Sequence, residues 1–223
     1  MILFLIRGTV LLALAWLAAP ALADPVRDLV VAAQLDNPAS VRKLLAAGLS
    51  ANTIDPVSGL PVIQVALRED AQRVVEVLVA DQDYDPERTA PNGNTALMLA
   101  AWKHNQPAVL ALLAKGAAVN RTGWCALHYS AASGDVAITA ILLARRAAID
   151  AESPSQITPL MIAAREGHQQ VVLQLLRAGA NAALRNNENL TASQIALRAD
   201  HDAIAAAIDA FHGANDRTGT ERQ

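Results

Sequence analysis

The sequence is poor in cysteine and in aromatic residues: it has one cysteine, and aromatics make up only 3% of its 223 residues. A single cysteine excludes an intrachain disulfide framework and any zinc site built from several cysteines. The 18 Lys and Arg against 21 Asp and Glu leave a net charge of −3. Nucleic-acid-binding proteins concentrate basic residues on one face, so no nucleic-acid partner is predicted.

Aliphatic residues are abundant instead. Hydrophobic residues account for 53% of the chain, and 48 residues are alanine. This content excludes intrinsic disorder, because disordered chains combine low hydrophobicity with high net charge. The length suffices for one domain or two small ones with a sizeable core. A core without aromatics requires an architecture in which small side chains are an advantage.

The first 23 residues have the layout of a secretory signal. Arg7 precedes an apolar run over 10–19, Pro20 ends that run, and the small residues Ala21 and Ala23 precede Asp24. The uninterrupted apolar stretch is about a dozen residues, short of the roughly 20 that span a bilayer. We expect cleavage after Ala23 and a periplasmic mature protein without a membrane segment. The alternative is that the segment is kept as a membrane anchor.

The remainder of the chain repeats with a period near 33 residues. Units begin near residues 27, 61, 95, 125, 158 and 191, at spacings of 34, 34, 30, 33 and 33. Together they cover a predicted domain over 24–212, followed by a disordered tail over 213–223. A repeat of this length indicates a solenoid, in which each unit buries its apolar faces against its neighbours.

The local signals within a unit predict two helices. Thr158 can cap the first helix, and Pro159 suits the first helical position because its missing N–H costs nothing there. Gly167 and Gly179 permit the left-handed turns that end the two helices. Apolar residues recur at helical spacing between these signals. Each unit also carries small residues, often an Ala-Ala pair, that allow neighbouring helices to approach closely.

The unit over 158–180 resembles the ankyrin repeat. It follows closely that family's pattern of Thr-Pro-Leu-His, Ala-Ala, Gly-His, Val-Val, Leu-Leu and Gly-Ala. The match is specific in two units, good in a third and degenerate in three. The resemblance implies an all-α repeat fold, an ankyrin-type solenoid of about six helix-turn-helix units with projecting hairpin loops (fingers). It also implies a non-enzymatic module that binds partner proteins. We expect a monomer.

Fingers are predicted over 52–59, 90–94, 150–157 and 184–189, where Asn189 replaces a glycine at a positive φ. The finger after Asn120 is three residues shorter than the family spacing, which predicts a local recess. The resemblance implies partner binding through the concave face formed by the fingers and the inner helices. The candidate residues on that face are Trp102, Lys103, Arg121, Trp124, Arg165, Glu166 and Arg198.

The presence of these side chains also has interpretations that involve no partner. Trp124 can fold down to fill the space left by the short finger, and the arginines can form an ordinary solvated face. Exposed Trp beside Arg is nevertheless the composition of a binding hot spot.

No catalytic or cofactor motif is present. The sequence has no nucleophile elbow, phosphate loop or dinucleotide fingerprint, so no catalytic residue, cofactor or metal is predicted. His168 and His201 occupy equivalent repeat positions, and the resemblance gives them a structural role. His128 is expected to bond between neighbouring loops, and Cys125 to be buried in place of a capping Thr.

The family resemblance suggests support of a periplasmic enzyme, for example in peroxide defence. An alternative is an immunity protein that neutralises a toxin in the periplasm. A metal- or ligand-binding hydrolase is a third class, for which the sequence offers no residues.

Overall fold

The structure is a computed structural model that describes residues 24–220, with side chains described to residue 213. Within that range it contains twelve α-helices and no named strand. The helices are α1 Pro25–Gln34, α2 Pro38–Ala46, α3 Val62–Arg68, α4 Gln72–Ala80, α5 Ala96–Trp102, α6 Gln106–Ala114, α7 Ala126–Ser133, α8 Val136–Ala144, α9 Pro159–Arg165, α10 Gln169–Arg177, α11 Ala192–Arg198 and α12 Asp202–Thr220. The predicted signal segment over 1–23 lies outside the described residues.

The helices form six pairs, units 1 to 6, stacked in chain order. The odd-numbered helices pack against one another in one row, and the even-numbered helices pack in a second row. This arrangement is the predicted helical solenoid. Because each helix is amphipathic or short, its apolar side is buried only when the neighbouring units are in place.

The predicted unit starts coincide with helix caps in units 2 to 6. The N-cap residues of their first helices are Pro61, Thr95, Cys125, Thr158 and Thr191. In unit 4, Cys125 does occupy the position that Thr holds in other units. In unit 5, the Met161 N–H donates to Thr158 Oγ1 at 3.3 Å, and Pro159 is the first helical residue.

Unit 1 differs from the prediction. Its first helix is capped by Asp24, three residues before the predicted start at 27. The Asp24 carboxylate accepts hydrogen bonds from the N–H groups of Val26 and Arg27, and Pro25 follows at the first helical position. An Asp-Pro pair is a strong start signal, and it extends the helix beyond the repeat pattern.

The turn between the two helices of each unit places one residue in the left-handed region. That residue is Gly134 in unit 4, with φ of 76°, and Gly167 in unit 5, with φ of 80°. A Cβ at Gly134 would lie 2.5 Å from His168 Nδ1, and one at Gly167 would lie 2.8 Å from His201. Glycine is needed here because a histidine of the next unit packs on the turn. The structural role expected for these two histidines is thereby confirmed.

The core runs continuously from Leu29 to Ile208 along the junction of the two rows. Its small residues lie where helices meet: Ala100, Ala101, Ala163 and Ala164 are fully buried. Larger aliphatic side chains fill the remaining space. Alanine is therefore frequent because it sets a close spacing between helices of successive units.

The fingers and the C-terminal segment complete the fold. Isolated bridges pair Ile54 with Pro61 and Thr89 with Thr95 at the bases of two fingers. Asn189 has φ of 61°, as predicted. Whereas the sequence predicts a disordered tail from residue 213, α12 continues to Thr220. No proline interrupts the helix over that range, and residues 221–223 lie outside the described part.

Candidate partner-binding site

A cavity of about 210 Å³ lies beside units 3, 4 and 5 and includes Trp124 of the short finger after Asn120. This first cavity borders the short finger, where the sequence predicts a recess. Only Arg121, Thr122, Gly123 and Trp124 separate Asn120 from the Cys125 cap. The cavity is lined by Trp102, Trp124, His128, Tyr129, Ala132, Ile162 and Arg165.

The lining of the cavity includes a small residue between two large ones. Trp102, Ala132 and Arg165 each lie seven residues after the cap of their unit. Stacking places these equivalent positions side by side in units 3, 4 and 5. The methyl group of Ala132 leaves a gap between the indole of Trp102 and the guanidinium of Arg165.

The two tryptophans form the aromatic side of the cavity. Trp102 is 48% exposed, as its predicted solvent-facing position requires, and Trp124 is 38% exposed. The Trp124 ring stands edge-on to His128, with centroids 5.2 Å apart, and to Tyr129 at 6.3 Å. Such pairs add about 0.5–1.5 kcal/mol beyond burial. Trp124 therefore packs against its own unit, as the alternative interpretation holds, and also lines the cavity.

Tyr129 is a lining residue that sequence reasoning missed. Its hydroxyl donates to Asn94 Oδ1 at 2.7 Å, which ties unit 4 to the finger before unit 3. Burial raises the pKa of Tyr129, so the phenol stays neutral. A signal was available: Tyr129 and Ile162 both lie four residues after their caps, and both line the cavity.

The base of the cavity is held by His128. Its Nε2 lies 3.0 Å from the carbonyl oxygen of Ile157, which can only accept, so this nitrogen carries the proton. Its Nδ1 accepts from the Cys125 N–H at 3.2 Å. The bond to Ile157 confirms the expected link between neighbouring loops. Burial lowers the pKa of His128, which keeps the ring neutral near pH 7.

Cys125 is fully buried, as predicted. Its Sγ lies 3.2 Å from His128 Nδ1. Burial raises the pKa of the Cys125 thiol, which disfavours the thiolate that a nucleophilic cysteine requires. The Cys-His contact is therefore a packed capping arrangement.

Three of the seven predicted site residues meet at the first cavity: Trp102, Trp124 and Arg165. Lys103 bonds Asp70 at 3.1 Å, and Arg121 forms an ion pair with Glu87. These two pairs link unit 3 to unit 2. The other two residues, Glu166 and Arg198, also lie outside the first cavity.

A second cavity of about 240 Å³ lies between units 5 and 6. Arg165 lines this cavity too, and Arg198 lies on it with its guanidinium 2.8 Å from Glu188 Oε2. The complete lining is Ile157, Met161, Arg165, Asn186, Glu188, Leu190, Ile195, Arg198 and Ala199. Arg165 thus lies between two cavities of similar size.

The structure offers no cluster for metal ligation in its described part. Among the side chains described over 24–213, no three His, Cys, Asp or Glu come together in a way that could hold a metal ion. In the same range, none of the helices combines the length and the apolarity needed to cross a membrane.

Comparison with known proteins identifies the repeat. The family model described as ankyrin repeats (3 copies) matches residues 29–122, 63–154 and 127–216. The nuclear factor NF-kappa-B p105 subunit of Mus musculus is 30% identical over 139 residues, which is 59% of this chain and 14% of that protein. Protein glp-1 of Caenorhabditis elegans is 30% identical over 146 residues, which is 59% of this chain and 11% of that protein.

A shorter match is closer in identity. The probable E3 ubiquitin-protein ligase XBOS31 of Oryza sativa subsp. japonica is 40% identical over 79 residues, which is 33% of this chain and 18% of that protein. The chain spans less than a fifth of the length of these three relatives, and the similarity lies in the repeats. With the family model covering most of the twelve helices, the chain belongs to the ankyrin repeat family.

Proposed function

We propose that this protein binds a partner protein by accepting a partner side chain into the first cavity. Ankyrin repeats are protein–protein interaction modules, and the first cavity is the observation that supports this location for the interaction. Two half-exposed tryptophans, a tyrosine and an arginine surround it. Trp, Tyr and Arg are the residues that dominate binding energy at protein interfaces.

The size of the cavity favours a protein side chain over a cofactor or substrate. Small-molecule pockets usually measure about 300–1,000 Å³, whereas this cavity measures about 210 Å³. Both ring nitrogens of His128 are already hydrogen-bonded to the backbone, at Cys125 and Ile157, so this histidine is not available for acid–base chemistry in the cavity. A non-enzymatic binding role agrees with both features.

Capture of the partner tests this proposal. We expect immobilised protein to retain a partner from a periplasmic extract and the Trp102→Ala variant to bind it roughly thirtyfold more weakly. That factor corresponds to about 2 kcal/mol, the loss typical of a central interface tryptophan. Affinity is measured by titrating the captured protein in solution.

Leu110→Ala is the matched control. Leu110 is 40% exposed on α6, the second helix of the same unit. This variant should bind the partner like the wild type. Equal affinity of the Trp102→Ala and Leu110→Ala variants would show that the cavity is not the binding site.

We also propose that the protein is exported to the periplasm. The proposal is supported by Arg7, the apolar run over 10–19 and the small residues before Asp24. The first described helix begins at Pro25, so cleavage after Ala23 removes none of the twelve helices. The Asp24 cap would also remain in the mature chain.

The partner in this proposal is a periplasmic protein whose enzymatic activity the module supports, for example in peroxide defence. The alternative role, immunity to a toxin in the periplasm, would use the same face. The identity of the captured protein separates the two roles. A resident enzyme made by the same cell supports the first, and a delivered toxin domain supports the second.

A further inference from the structure

We infer that the two cavities together bind one segment of the partner, in which an acidic residue is flanked by two apolar side chains. The acidic side chain binds Arg165, and the apolar side chains enter the first and second cavities. This inference rests on the proposed function and specifies the chemistry of the partner.

The position of Arg165 carries the inference. It is the last residue of α9 and lines both cavities. On one side lie the rings of Trp102 and Trp124, and on the other lie Met161 and Ile195. A segment crossing unit 5 would therefore meet an aromatic recess, a guanidinium and a second recess in that order. The second recess has aliphatic walls and a charged rim that includes Arg198 and Glu188.

The size of each recess fits one side chain. The volumes are about 210 and 240 Å³, and both lie below the usual range of about 300 Å³ and more for small-molecule pockets. Two recesses of nearly equal volume on either side of one arginine favour a segment with two anchors over a single bulky ligand.

The charges at the groove favour an acidic residue between the anchors. Arg165 is the charged side chain of the first cavity, since the buried His128 is neutral. The second cavity adds Arg198 and Glu188, which pair with each other at 2.8 Å, so Arg165 is the excess charge among the residues that line the two cavities. A partner lysine would gain from the aromatic rings but would be repelled by Arg165, whereas a carboxylate is attracted.

The neighbouring Glu166 does not prevent this contact. Glu166 Oε1 lies 2.9 Å from Arg165 Nε. The Arg165 side chain is 50% exposed and the Glu166 side chain is 41% exposed. Exposed pairs of this kind contribute only about 0–1 kcal/mol. A guanidinium has five N–H donors, so a partner carboxylate can bond its terminal nitrogens or replace Glu166. A two-bond arginine–carboxylate contact is stronger than a single-bond pair.

Selection from a phage-displayed library of random dodecapeptides tests the inference. Peptides selected on the purified protein should be enriched in Asp or Glu with an apolar residue on each side. Selection on Arg165→Glu should lose the acidic enrichment and favour Lys or Arg. Arg177→Glu is the control, because it makes the same charge change at the exposed end of α10 in the same unit.

A charge swap sharpens the test. A fluorescent peptide from the wild-type selection should lose at least roughly tenfold in affinity when its acidic residue becomes Lys. The Lys peptide should recover affinity on Arg165→Glu but not on Arg177→Glu. Fluorescence anisotropy measures each pair.

Three results would overturn the inference: no peptide selected by the wild type, no acidic enrichment, or the same enrichment on Arg165→Glu. A natural partner that depends on Trp102 but binds Arg165→Glu normally would refute the acidic anchor alone. A partner indifferent to Trp102→Ala would refute the proposed function itself.

Discussion

In units 2, 4 and 6 the residue three positions after the cap bonds its own helix start, a neighbouring loop, or both. His128 performs both tasks, since Nδ1 accepts from Cys125 N–H and Nε2 donates to the Ile157 carbonyl. Gln194 performs the first, accepting from the Thr191 N–H at 3.0 Å. Gln64 performs the second, donating to the Asn94 carbonyl at 2.9 Å. Glutamine is thus the conservative replacement for His128.

We expect His128 to make stability depend on pH. Burial lowers the pKa of His128 below its ordinary value of 6.5, so the unfolded chain binds a proton more readily than the folded chain. The stabilisation that His128 contributes is fully present above pH 6.5. It is lost as the pH falls from 6.5 toward the lowered pKa of the folded state. Urea unfolding at pH 7.5, 6.5 and 5.5 measures the free energy of unfolding.

The His128→Gln variant separates this residue from the rest of the chain. It should cost about 1 kcal/mol at pH 7.5, the value of one hydrogen bond, and should lose less stability than the wild type between pH 6.5 and 5.5. Parallel pH curves for the two proteins would contradict the assignment.

At the scale of the element, the turn glycines of units 4 and 5 are needed for two reasons. Gly134 has φ of 76°, and its missing Cβ leaves room for the His168 ring, whose Nε2 bonds the Ala132 carbonyl at 3.1 Å. Gly179 has φ of 100° but has nothing within 4 Å of a Cβ built on it. Comparing the two glycines separates backbone strain from the histidine contact.

We expect Gly134→Ala to lower the free energy of unfolding by about 3 kcal/mol or more, since it adds a collision to the strain of a positive φ. Gly179→Ala should cost about 1–2 kcal/mol, from strain alone. Urea unfolding measures both. In a His168→Ala background, the loss of unfolding free energy caused by Gly134→Ala should fall to the value expected from backbone strain alone. An unchanged loss would show that the His168 ring is not responsible.

At the scale of the whole molecule, the scarcity of aromatics has a structural reason. The described chain stacks twelve helices whose spacing is set by alanines such as Ala100 and Ala163. Stacked units bury a continuous apolar core without a large central space that needs aromatic rings. Trp102 and Trp124 are consequently available at the surface, where they border the first cavity.

The whole chain also makes the export proposal testable. We expect protein recovered from the periplasmic fraction to begin at Asp24, as shown by its mass and N-terminal sequence. Changing Ala21 and Ala23 to Leu should block processing and leave residues 1–23 attached, because signal cleavage requires small residues there. Ala19→Leu, outside the cleavage pattern, is the control. Wild-type protein that retains Met1 would contradict the proposal.

Much of the fold could be predicted because its signals are local. Thr158, Pro159 and Gly167 specify a helix start and a turn within one unit, and their recurrence predicts the stacking. The three missing residues of one finger likewise direct attention to Trp124, which borders the first cavity. The start of α1 was not, because Asp24 and Pro25 act as a cap outside the repeat pattern.

The sequence by itself determined the six units, their caps and the aliphatic core, since these depend on neighbours along the chain. The tertiary structure alone decided which side chains meet across units. Tyr129 and Ile162 join Trp102 at the first cavity, while Lys103 is drawn to Asp70. Long side chains have several rotamers of similar energy, and only contacts with the adjacent unit select among them.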